Sequence, residues 1–104
     1  MIKFADKLYV SESIKNVEKV KRRLRFGRGQ LEIYLITISN SDDQLEYFHN
    51  ALLKQKAIYK QGINVVGLAK SSSECVELIE RILQDTYNAT GRYDMKTFLL
   101  GKNG

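Results

Sequence analysis

The sequence predicts an α/β fold: a single small domain, βαβαβα(β), with a mostly parallel three- or four-stranded sheet and helices on its faces. Three observations carry this. Residues 31–39, LEIYLITIS, are largely apolar in both alternating sets, as in a strand covered on both sides. Ile63–Ala69 has the same character and leads straight into a helical pattern. Strand-like and helical periodicities then alternate along the chain, and helical crossovers between strands imply parallel neighbours. An α+β arrangement with an antiparallel edge strand is the other architecture these patterns allow.

In chain order, residues 7–10 read as a short strand, with 2–4 as an extended lead-in, and Ser11 or Ser13 caps the next element. Ile14, Val17, Val20 and Leu24 share about a third of a helical wheel, with Lys15, Lys19, Arg22 and Arg23 opposite. Phe26 falls on the basic face if that helix continues, and Gly27 supplies a left-handed stop near Arg25. After the 31–39 strand, Ser41 and Gln44 have capping-box spacing, so Leu45, Phe48 and Leu52 mark the buried stripe of a second helix. Residues 59–62 form a connection into the strand at 63–69. Ser71 and Glu74 make another capping box, and Cys75, Ile79, Ile82, Leu83 and Tyr87 recur at helical spacing until Gly91. The tail fits two periods: Met95, Thr97 and Leu99 alternate as in an edge strand, whereas Met95, Phe98 and Leu99 fit a helix, and the strand is preferred. The expected core is Val17, Leu24, Ile33, Leu35, Ile36, Leu45, Phe48, Leu52, Val65, Val66, Leu68, Ile79, Ile82 and Leu83.

A chain of 104 residues is long enough to bury roughly two-thirds of its unfolded surface. Its one cysteine, Cys75, rules out an internal disulfide framework and a cysteine-based metal site. The opening residues lack the apolar core of a signal peptide, and no apolar run approaches a membrane span, so a cytoplasmic location without membrane association is expected. Charge is the most informative compositional feature. Residues 1–30 hold nine Lys/Arg against three Asp/Glu, a surplus of six, while the other 74 residues hold eight against nine.

In a parallel sheet the strand-to-helix turns gather at one edge, where α/β proteins bind ligands. That edge is expected to collect Ser11, Ser13, Asn40, Ser41, Lys70, Ser71 and Ser72, whose hydroxyls and helix N-termini suit a phosphate or carboxylate; equally, these residues suit helix caps alone. Asp42 and Asp43 resemble the acidic pair of a magnesium site, but the third acid at another strand end that such sites often use is missing. Gly27, Arg28 and Gly29 follow a helix and lack both the third glycine of a dinucleotide fingerprint and a Gly-Lys-Ser/Thr run, so they read as a turn. His49 has no evident catalytic partner, and Cys75, four residues past its cap, lies on a buried stripe, so both read as structural. No cofactor or metal is implied.

Three classes of function follow. A short chain without catalytic motifs reads first as a non-catalytic interaction or oligomerising module, with a protein partner or self-association. The surface of Lys15, Lys19, Arg22, Arg23 and Arg28, with Phe26 following, reads as a polyanion site, nucleic acid being the leading ligand, or simply as a solvated face. A small enzyme or phosphometabolite-binding protein would use the strand-end loops.

Overall fold

The computed structural model describes residues 2–26, 32–39, 44–55 and 62–101. They form a small domain with a four-stranded mixed sheet and helices. The order is β1 (Ile2–Val10), α1 (Val17–Phe26), β2 (Tyr34–Ile38), β3 (Leu45–His49), a 3₁₀ segment (Asn50–Gln55), β4 (Ile63–Ala69), α2 (Ser72–Thr90) and α3 (Met95–Gly101). Across the sheet the strands run β1-β4-β2-β3. Only β1 and β4 pair in parallel; β2 is antiparallel to both β4 and β3.

The expected mostly parallel sheet is therefore corrected. The two long apolar strands are indeed neighbours at the sheet's centre, and from Leu35 to Ser39 and across Val65 to Ala69 every residue is buried. Their relative direction is opposite to that expected. Side-chain alternation reads the same from either end of a strand, so a double-faced apolar run specifies coverage and not direction.

Residues 45–49 form a strand and not a second helix. Leu45, Phe48 and Leu52 satisfy helical spacing, but the same residues alternate: Leu45 packs on one side of the sheet and Phe48 on the other. Leu35 and Ile36 are wholly buried and pair with Phe48 and Tyr47 across the outer edge of β2. A helix here would leave that edge of β2 without ladder partners, and buried unpaired backbone groups cost more than helix propensity returns. The 3₁₀ segment then buries Leu53 and leaves Leu52 at 42% exposure, outside the expected core. The other thirteen expected core residues are buried or pack against the core.

The tail is a helix. Asp94 caps α3, its carboxylate accepting from the Thr97 backbone N–H (3.1 Å) and hydroxyl (2.7 Å). Met95 and Leu99, four apart, both face the core, which helical spacing permits and strand alternation does not exclude; the Asp94 cap decides. The Ser41 cap, the Gly27 stop, the turn at 27–29 and the connection at 59–61 lie outside the described residues.

Two cores flank the sheet. On one side α1 and the 3₁₀ segment cover Ile33, Leu35, Phe48, Ile63, Val65 and Leu68. On the other, α2 and α3 cover Tyr9, Ile36, Ile38, Val66 and Ala69 through Cys75, Leu78, Ile82 and Met95. The phase of β4 slips in its middle. Phe4 pairs with Val65 but Tyr9 with Gly67, and on the other edge Ile36 pairs with Gly67 but Thr37 with Val65. This irregularity puts Val65 and Leu68, three residues apart, on the same side. Thr37 Oγ1, on β2 beside the slip, is buried without a hydrogen-bond partner among the described residues.

Candidate polyanion-binding face

Helix α1 begins at Val17, after Asn16, whose side-chain oxygen accepts from the Lys19 N–H (3.1 Å). Asn16 is thus its cap, in place of Ser11 or Ser13. Leu24 is buried and Val17 and Val20 pack on the same core, fixing the helix against the sheet. The helix runs on through Phe26, one residue past the expected end.

Its cations divide into two groups. Lys21 pairs with Glu18 at 3.6 Å, and the Lys21 and Arg25 head groups lie 5.4 and 5.1 Å from the Phe4 ring centroid. These two charges are directed back onto β1, where each contact contributes about 0.5–1 kcal/mol at such partly exposed sites. Glu18 thereby pairs with Lys21 instead of Arg22, the i,i+4 partner its spacing suggests. Lys19, Arg22, Arg23 and Phe26 stand at i, i+3, i+4 and i+7, a single stripe. They line a shallow concavity of about 320 Å³. None of the three cations has a carboxylate partner among the described residues. Phe26 is 69% exposed. Lys15 is exposed just ahead of the helix, and Arg28 lies outside the described residues.

The second expected site, the strand-end rim, is divided by the mixed topology. Ser11 and Lys70 follow the parallel strands β1 and β4 at one edge of the sheet, where the Ser11 N–H donates to the Leu68 carbonyl (3.0 Å). Ser39 follows β2 at the opposite edge, because Thr37 pairs with Val65 and Tyr34 with Ala69. Asn40, Ser41, Asp42 and Asp43 lie outside the described residues.

At the Ser11 edge the anion position holds the protein's own carboxylate. Glu74 Oε1 accepts from the Lys70 backbone N–H (2.8 Å) and the Ser13 hydroxyl (3.0 Å), while Ser71 Oγ accepts from the Glu74 N–H (3.2 Å). The Ser71–Glu74 box is present, with the glutamate reaching back to Lys70 and not to the cap residue itself. Ser72 is exposed on the first turn of α2. The Lys70 N–H, followed by the Ser11 hydroxyl, holds the Glu74 carboxyl below its ordinary value of 4.5.

A depressed folded-state pKa stabilises the fold above the unfolded value and loses that contribution as pH falls through the folded one. Asp94, held below its ordinary 3.8 by the Thr97 hydroxyl and N–H, acts in the same direction. Glu74→Gln is accordingly expected to flatten the loss of stability between about pH 5 and 3. Urea unfolding across that range checks this; an unchanged slope would mean Glu74 is not coupled to folding.

His49 Nε2 lies 2.8 Å from Glu32 Oε2, and its Nδ1 accepts from the Ala51 N–H at 3.0 Å. Nε2 therefore carries the hydrogen that Glu32 accepts, and the nitrogen a general base would use is already filled by backbone. Glu32 sits seventeen residues from His49 in sequence, and the pairing exists only because β3 folds against β2. Cys75 is wholly buried on α2, and burial, followed by the Glu74 charge, pushes its thiol up to about 11. It is protonated at neutral pH, as expected of a packing residue.

A further polar pair was not legible in the sequence. The Tyr9 hydroxyl donates to Asp85 Oδ2 at 2.6 Å, joining β1 to α2 across 76 residues, and burial, then this bond, raises the phenol pKa. Among the described residues no three His, Cys, Asp or Glu side chains form a group able to hold a metal ion, and no helix is long and apolar enough to cross a membrane. Comparison with protein-family models, curated proteins and solved structures found no match for this chain.

Proposed function

We propose that this protein binds a polyanion, nucleic acid foremost, through the outward stripe of α1 and the preceding Lys15. The observation that carries this reading is the shared concavity of Lys19, Arg22 and Arg23, three cations without carboxylate partners among the described residues. An acid three or four residues away would neutralise such cations locally; here the only acid of α1, Glu18, is taken by Lys21. The charge surplus of the first thirty residues adds a long-range attraction for phosphates. The strand-end rim supports a metabolite site less well, because Glu74 sits where an anion would bind.

Binding of a labelled oligonucleotide, measured against salt, tests the proposal. With about four phosphates neutralised, the log–log slope is near −3.6 for duplex and near −2.8 for a single strand, so affinity falls by roughly two decades between about 50 and 200 mM salt. Reversing Lys19 and Arg22 to glutamate is expected to weaken binding to every sequence alike, since phosphate contacts carry no sequence information. Absence of binding at about 50 mM salt overturns the reading, as does a double variant that binds like the parent. A salt-insensitive protein complex, or self-association by light scattering, would assign the chain to the interaction modules instead.

A further inference from the structure

We infer that the α1 stripe is built for single-stranded nucleic acid, with Phe26 as a stacking platform for an unpaired base; this rests on the polyanion reading above. Cations alone would serve any polyanion. What distinguishes this surface is an aromatic ring left 69% exposed at the C-terminal end of the charged stripe, Phe26 being the last residue of α1. On the helical wheel Phe26 falls between Arg22 and Arg23 and almost directly in line with Lys19. The same helix has the means to cover a ring with cations and does so at Phe4, over which Lys21 and Arg25 are drawn. No such contact to Phe26 exists among the described residues. Phe26 also contributes to neither core, so its exposed face is not a by-product of packing.

A ring beside cations that have no carboxylate partner among the described residues meets both requirements of single-strand recognition: a flat apolar face for any base, and positive charge alongside it for the backbone. From Lys19 to Phe26 the stripe is roughly 10 Å long by helical rise, enough for about three phosphates of a stacked strand. A duplex offers phosphates to the same cations but keeps its bases stacked on each other, and so leaves Phe26 without a partner. Binding should therefore favour unpaired strands and tolerate any sequence, because every base has a stacking face.

Fluorescence anisotropy separates polyanion binding from base stacking. The probes are a short labelled oligothymidylate, a blunt-ended hairpin duplex, and heparin as a competitor that has charge but no bases. Phe26→Ala is expected to weaken oligothymidylate binding roughly 5- to 100-fold with an unchanged salt slope, and to leave the heparin and hairpin affinities within about twofold. Phe26→Trp is expected to retain or improve binding to the oligothymidylate. Because the ring is exposed, both variants should keep the parent's circular dichroism and unfolding midpoint. If Phe26→Ala binds the oligothymidylate within about twofold of the parent, or if the parent binds the hairpin as tightly as the single strand, stacking is overturned while polyanion binding stands. If the parent binds none of the three probes at about 50 mM salt, the polyanion reading fails and stacking falls with it.

Discussion

Leu35→Ala is expected to cost about 2–5 kcal/mol, whereas Leu52→Ala should stay within about 0.5 kcal/mol. Both leucines fit the apolar pattern of the sequence, and only their surroundings differ. Leu35 is fully buried in the centre of β2, between Phe48 on one side and Leu68 on the other, in the core under α1. Truncation there removes transfer free energy and leaves a cavity that three paired strands cannot collapse around. Leu52 sits on the 3₁₀ segment at 42% exposure, while its neighbour Leu53 takes the buried position. Urea denaturation of the two variants checks the contrast. Equal losses at the two positions would mean that residues 45–53 adopt the helical stripe suggested by their spacing and not the observed strand and 3₁₀ turn.

Gly67→Ala is expected to destabilise by about 1–3 kcal/mol, although alanine is otherwise a conservative change in a strand. Gly67 has no positive φ, so the penalty is one of space and not of backbone conformation. An added Cβ would stand 2.9 Å from Ile36 Cδ1, 3.3 Å from Ile36 Cβ and 3.2 Å from the Tyr9 carbonyl oxygen. The terminal methyl of Ile36 can shift only within a fully buried site, and the Tyr9 carbonyl belongs to the backbone of a paired strand. Glycine is thus required where the register slips on both edges of β4 at once. Ile36→Val in the Gly67→Ala background removes the Cδ1 atom and is expected to recover part of the loss. A Gly67→Ala variant as stable as the parent would show that the slip relaxes without cost.

Local pattern determined which segments are apolar on two faces, where α2 begins and ends, and which helix face is basic. Residues 35–38 and 65–69 are buried on both sides, Ser71 caps α2, and Gly91, at φ 74°, closes it with its N–H on the Tyr87 carbonyl (2.8 Å). Each of these depends on residues within one or two turns of one another, so composition and spacing suffice. Tertiary structure alone decided strand direction, the identity of residues 45–49, and what each polar group meets. Alternation carries no arrow, and β4 enters between β1 and β2 through contacts far apart in sequence. The spacing of Leu45, Phe48 and Leu52 fits a helix, but the open edge of β2 chose a strand for residues 45–49, with Leu45 and Phe48 on opposite faces. The basic stripe was legible, but that Lys21 and Arg25 turn back to Phe4 while Lys19, Arg22 and Arg23 remain with Phe26 is a consequence of where β1 lies beside α1. Likewise Glu32 meets His49, Asp85 meets Tyr9, and Glu74 fills the anion position between Ser13 and Lys70 because separate elements converge, a fact that no local period encodes.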